Sequence, residues 1–157
     1  MADPLDSFKL EVDPTLALEH QALRDALAYW DKKRGGRAMP TRADIDPLEL
    51  REHLGYLMIL GVEPGPRFRF RLIGTKLTEA VGRDMTGRYY DEVYPAAYYD
   101  RVTQSLRWVA ENGKPCRVSG TLWHARREWL HFESLDMPLS NDGTTVDAVF
   151  SRVALGE

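Results

Sequence analysis

Three side chains in the last third of the chain could together hold a metal ion: His124, His131 and Glu133. If residues 127 and 128 form a tight turn, the two histidines face each other across a hairpin. Glu133 then lies two positions further along the same face. Two imidazoles and a carboxylate are the donor set of a facial-triad iron site or an open zinc site. The arrangement exists in one register only, because a one-residue slip moves a histidine to the other face. The competing reading makes these residues polar groups on a solvated or interface-facing sheet surface, made amphipathic by Trp123 and Trp129. A small metal-dependent enzyme is therefore the chemical alternative to be tested.

Other catalytic patterns are missing. The sequence has no Gly-x-Ser-x-Gly elbow, no phosphate loop, no His-Glu-x-x-His helix and no dinucleotide fingerprint. Adjacent acids such as Asp91 and Glu92 fall in a charged segment and do not by themselves make acid–base machinery. The single cysteine, Cys116, can form neither an internal disulfide nor a thiolate cluster. Between residues 32 and 42 lie Lys32, Lys33, Arg34, Arg37 and Arg42 with no acid. These cations either complement the carbonyl end of a helix or, with Gly35 and Gly36, contact an anion such as a nucleotide. The helix-end reading is the simpler, since basic residues followed by glycine are how helices ordinarily stop.

The elements that would position these groups are set by periodicity. Residues 1–14 have no period and read as a flexible arm. From Thr15, helical spacing sets Leu16, Leu23, Leu27 and Trp30 along one face, with Asp13 as cap and Pro14 at the first position. Gly35 closes that helix. Asp46 and Pro47 start a short second helix, which completes an N-terminal helical cap over residues 15–54. An apolar run from Tyr56 to Val62 then meets Pro64-Gly65, the central pair of a type II turn. After it, Arg67, Arg69 and Arg71 alternate with Phe68, Phe70 and Leu72, as a half-buried strand requires. Short helical stretches fill residues 75–94. A longer helix comes after Pro95 with Tyr98, Val102, Leu106 and Val109 as its stripe, and Gly113 ends it. Strands are expected at Arg117–His124, Trp129–Leu135 and Thr145–Val153.

A strand pair, a helical segment and a three-stranded meander predict an α+β fold. It has a five-stranded antiparallel sheet over residues 55–157 with helices over one face and an N-terminal helical extension. A cone-shaped fold of the nuclear-transport-factor type is disfavoured, because two strands precede the helical segment. A net charge of −3 argues against a nucleic-acid partner. The longest apolar run, Leu54 to Val62, is too short to span a bilayer, and the N-terminus lacks the charged start and apolar core of a secretion signal. A cytoplasmic location is expected.

Particular residues resemble a known family. Trp30, Arg34-Gly35-Gly36-Arg37, Met39-Pro40 and Arg42-Ala43-Asp44-Ile45-Asp46-Pro47 look like the lead-in segment of a bacterial subfamily of small, often stand-alone PAS proteins. Phe68 through Gly74-Thr75, then Gly82-Arg83-Asp84 and Thr86-Gly87-Arg88, are similar to its hairpin and helical region. The resemblance implies a sensory or interaction domain in bacterial signal transduction, commonly dimeric, with a pocket between sheet and helices. It also implies that neither flavin nor haem is expected. The family's covalent flavin binders carry a cysteine inside Asn-Cys-Arg in the helical segment, and its haem binders a histidine on the long helix. Here Cys116 comes after that helix, and residues 96–112 contain no histidine. No cofactor is expected.

Within this frame Phe68, Phe70 and Leu72 point from the hairpin towards Val102, Leu106 and Val109, with Leu77, Val81 and Tyr90 completing a ring. The same residues could simply fill a close-packed core. Tyr90 and Thr78 are the polar groups nearest to such a pocket. The stripe Leu16, Leu23, Leu27 and Trp30 either packs on the chain's own sheet or pairs with the same helix of a second chain; together with Trp108, lying off the stripe of its helix, it favours a homodimer contact. Carrying no kinase, cyclase or DNA-binding segment, the chain is expected to act through an unidentified signalling protein.

Overall fold

In the computed structural model, residues 10–122 and 130–156 are described. Their frame is one antiparallel sheet. Strands β1 (Leu10–Asp13), β2 (Leu57–Glu63), β3 (Arg67–Ile73), β4 (Cys116–Leu122), β5 (Leu130–Leu139) and β6 (Ala148–Leu155) run in the order β1-β4-β5-β6-β2-β3. The hairpin β2–β3 forms as its alternation dictates, with Phe68 and Phe70 buried and Arg67 and Arg71 exposed. Its turn is not type II. Gly65 lies at φ 149° before a cis Gly65–Pro66 peptide, whereas that turn needs φ of about +80° at its third residue.

The register also departs from simple alternation. Ile59 pairs with Leu72 but Leu60 with Phe70, so Arg71 is an extra residue on β3. A bulge of this kind reverses the facing of the residues beyond it, and Leu72 ends on the face opposite Phe68 and Phe70.

A sixth strand is an addition to the expected five. Leu10–Asp13 falls in the segment that reads as a flexible arm, yet it pairs with β4 from Leu10 opposite Gly120 to Asp13 opposite Arg117. Residues 1–9 of that arm lie outside the described residues. The sequence Leu-Glu-Val-Asp does alternate, but over too few residues to announce a strand.

Helices cover both faces of the sheet. On one lie α1 (Gln21–Arg34) and a 3-10 segment, Pro47–Tyr56, kinked at Leu50 and capped as expected by Asp46, which accepts from Leu48 N–H. On the other lie α2 (Thr75–Val81), α3 (Tyr90–Val93), α4 (Ala96–Val102) and α5 (Gln104–Asn112). The expected single helix after Pro95 is thus two. Between them Thr103, fully buried, turns its hydroxyl back to the Tyr99 carbonyl at 2.7 Å, a contact that bends helices. Gly113 ends α5 with a left-handed φ of 63°.

Helix α1 starts six residues later than its apolar spacing suggests, at Gln21. Asp13 does not cap it. Its carboxylate accepts from the Thr15 and Ala17 N–H groups and closes a turn in which Leu16 sits at φ 60°, off the helix. The start is fixed instead from β5. Glu133 accepts from Glu19 N–H at 3.0 Å, His20 N–H at 2.9 Å and His20 Nδ1 at 2.7 Å, and also from Arg117 Nε. A carboxylate here complements the positive end of the helix. Further along, Leu23, Ala26 and Trp30 bury against the chain's own sheet, and Trp30 Nε1 donates to the Pro138 carbonyl at 2.8 Å. Among the described residues no helix is long and apolar enough to cross a membrane.

Two consequences are measurable. Burial alone would push the Glu133 carboxyl up. The Glu19 backbone N–H, Arg117 and His20 outweigh this and hold it at about 2 against an ordinary 4.5. A lowered value means that ionised Glu133 stabilises the fold fully above the ordinary value, and that this contribution is lost as pH falls towards the folded one. Glu133→Gln should cost about 3 kcal/mol in urea unfolding at neutral pH, and the gap to the parent chain should close as pH falls from 4.5 towards 2. At the other end of the sheet, Gly74 donates to the Leu57 carbonyl at 2.8 Å, and a Cβ there would collide with the Gly55 carbonyl. Gly74→Ala should therefore cost about 1–3 kcal/mol in the same assay.

Candidate functional site

A cavity of about 340 Å³ lies between the sheet and α2–α5. Of the residues expected around a pocket, Phe70, Leu77, Val81, Tyr90, Val102 and Leu106 line it. Three do not. Leu72 is turned to the opposite face by the Arg71 bulge. Phe68 is buried with its ring edge-on to Tyr90, centroids 6.2 Å apart, and Val109 is buried in the same core. Tyr90 organises one wall, stacking on Phe70 at 4.4 Å and meeting Tyr94 at 5.3 Å. The N-terminal strand contributes Leu10, while Phe132, Val153 and Leu155 come from the closing meander. Inner residues such as Phe70 and Leu106 are buried, whereas Val81, Tyr98, Val102 and Leu155 are half-buried, so the cavity reaches towards the surface.

The polar end of the cavity is a buried carboxyl that sequence reasoning missed. Asp136, 4 % exposed, lines it together with Ser134 and Ser105. Its Oδ1 accepts from Ser151 Oγ at 2.7 Å and from Ser134 Oγ at 3.3 Å, and the Ser105 hydroxyl also bonds to the carboxyl. Burial pushes this carboxyl above its ordinary value although the three hydroxyls pull the other way. Tyr90 is pushed up too, by burial and then by Tyr94 and Asp136. Thr78, expected as a polar partner, is not in the wall. The available signal was Ser134-x-Asp136, two polar residues on one face of a strand whose neighbours are apolar.

Cys116 stands opposite Asp136 in the β4–β5 ladder, fully buried. Burial pushes its thiol up to about 12, with Asp136 adding to the effect. The thiol is therefore neutral, and it lies outside the cavity wall.

Neither the register nor the occupancy of the described residues favours the metal reading. His131 is exposed and pairs with Thr121, and Glu133 pairs with Ser119. The strands are thus three residues out of the alignment that would set His131 against His124, which itself lies outside the described residues. Glu133 is already filled by α1 and Arg117, and no group of metal-binding side chains forms among the described residues.

The basic stretch conforms to the helix-end reading. Lys33 pairs with Glu49 at 2.9 Å, Arg34 with Asp31 at 2.6 Å and Arg37 with Asp44 at 2.8 Å. Arg37 also donates to the Arg34 and Lys33 carbonyls at the end of α1.

The expected dimer residues are placed differently from one another. Leu23 and Trp30 are buried against the chain's own sheet and are not available to a partner, because the open face that would leave them exposed is the one α1 covers. Leu16, Leu27 and Trp108 are half-buried and pack against the core, so Trp108 is not the free surface anchor its position off the stripe suggests.

Comparison with known proteins places this geometry. A family model described as "PAS domain" matches residues 18–153. No curated protein matches significantly. Among solved structures, a light-oxygen-voltage domain studied with a flavin analogue is similar at 12% identity, over 70% of this chain and 83% of that one, with a TM-score of 0.53. The Rhodobacter sphaeroides LOV protein is similar at 11% identity, over 71% and 68%, with a TM-score of 0.50. An RNA-binding light-oxygen-voltage receptor matches at 14% identity and a TM-score of 0.51, over 94% of this chain but 38% of the receptor. At such identities the likeness speaks to the fold alone. The family match extends from just before α1 into the last strand, and the chain belongs to the PAS domain family.

Proposed function

We propose that this chain is a sensory PAS domain in which a small molecule occupies the cavity between the sheet and α2–α5, and that occupancy is read out at α1. The observation that carries the reading is the cavity itself. It is a largely apolar chamber with a few converging polar groups, the ordinary make-up of a small-molecule site. Strand β5 connects it to the other side of the sheet. Ser134 and Asp136 face the cavity, while Glu133 holds the start of α1. A ligand with different affinity for two positions of β5 would shift the population of α1 positions.

The proposal includes neither catalysis nor flavin nor haem. A cysteinyl–flavin adduct needs a thiol in the chamber, and Cys116 lies outside its wall. The commonest axial ligand of a haem iron is histidine, and neither the described cavity wall nor α4 and α5 carry one. A visible flavin band in freshly purified protein would overturn this part of the reading. Self-association and a signalling partner in a bacterial cytoplasm belong to the same proposal, with Leu16, Leu27 and Trp108 as the candidate self-contact residues.

The test is to fill the chamber. Val102 is half-buried in the wall, where a larger side chain projects into space. In calorimetric titrations with indole as probe, the parent chain should bind and Val102→Trp should bind at least about tenfold more weakly, a loss of about 1.4 kcal/mol. Its melting temperature should be retained. Equal binding by the two proteins contradicts the proposal.

A further inference from the structure

We infer that the cavity selects a cationic amine: a compact, mainly apolar body with one protonated nitrogen that pairs with Asp136. This inference rests on the ligand-binding reading above and adds the chemical class of the ligand.

Among the described residues two carboxyl groups are buried in the sheet, Glu133 and Asp136, and their surroundings differ. Glu133 is matched by the Arg117 guanidinium and by His20. Among the described residues, Asp136 meets the neutral hydroxyls of Ser105, Ser134 and Ser151 and no cation. A carboxylate removed from water without a counter-charge is costly, and the cost is offset only when a cation arrives with good geometry. No lysine, arginine or histidine lies in the described wall of the chamber to serve as that cation. The titratable groups around it are Tyr90 on α3, Tyr94 just beyond it, Tyr98 on α4 and Cys116 on β4, none of which can supply a cation, and burial raises Tyr90, Tyr94 and Cys116. An ionised Asp136 would therefore take its counter-charge from the occupant.

Geometry agrees. Ser151 and Ser134 both donate to Oδ1, and an ionised carboxylate accepts about four hydrogen bonds, so capacity remains for an ammonium group. The wall adds the rings of Phe70, Tyr90, Tyr94 and Tyr98, and an aromatic lining suits a cation. An anionic ligand would meet repulsion from Asp136 in a chamber that offers no compensating cation. A neutral ligand that only accepts hydrogen bonds would require Asp136 to stay protonated, and this is the principal rival.

The experiment uses matched probes on the full chain. Phenethylamine and tryptamine are titrated calorimetrically beside their hydroxyl counterparts, 2-phenylethanol and tryptophol. Each amine should bind at least about tenfold more tightly than its alcohol, as a charge-assisted bond in a water-poor site predicts. Asp136→Asn should erase the preference by weakening the amine about tenfold and leaving the alcohol within about threefold. Alcohols binding as tightly as amines to the parent chain overturn the inference without any variant having to fold. So does a preference that survives in Asp136→Asn. If alcohols and amines bind equally and both are blocked by Val102→Trp, the cavity reading stands and the amine inference alone fails. If no probe binds, or if Val102→Trp leaves binding unchanged, the cavity reading fails and the amine inference with it.

Discussion

From Glu133 onward strand β5 is covered by helices on both faces, so the side chains it carries there must be accommodated inside the protein. Residues Ser134 to Ser140 are all buried. Strand alternation sends Glu133, Leu135, Met137 and Leu139 to the α1 side and Phe132, Ser134 and Asp136 to the cavity side. Two carboxyls in one buried strand would ordinarily be a burden. On one face the burden becomes a fastening, because Glu133 gathers the N–H groups at the start of α1 and an arginine. On the other, Asp136 is left with hydroxyls in a cavity lined by aromatic rings, the setting in which we propose it as a recognition group.

The same strand gives the cavity a mechanical connection to the N-terminal segment. A second connection runs through β1, which lends Leu10 to the cavity wall and leads within a few residues to the Asp13 turn and then to α1. In the proposed reading, a ligand pressing on β1 or β5 would act on groups that hold the first turn of α1. The rest of that helix is anchored by Leu23, Ala26 and Trp30, so any response is concentrated at its start.

Much of this frame was legible in the sequence, wherever the deciding interaction is local. The arginine and phenylalanine alternation of β3, the Asp46 cap and the Gly113 stop each depend on neighbours a few residues away. The features that escaped depend on distant partners. The start of α1 is set by a carboxylate 114 residues further on, which no local capping rule can see. Leu72 changes face because of a bulge defined only once β2 and β3 are paired. The histidine alignment failed because β4 and β5 are registered along their whole ladder, with β1 and β6 on their outer sides, and not by their turn alone. Asp136 was hidden for a related reason. In a strand assumed to have one solvated face, a serine and an aspartate at alternate positions read as surface, and only a second layer of helices makes them interior.

The claim that ties these observations together is that β5 couples the cavity to α1. Hydrogen exchange across the backbone, with and without a saturating cavity ligand, addresses it most directly. Coupling through β5 predicts altered protection at the start of α1, around residues 19–24, as well as in the helices lining the cavity. Changes confined to α2–α5, with α1 exchanging identically in both states, would contradict it.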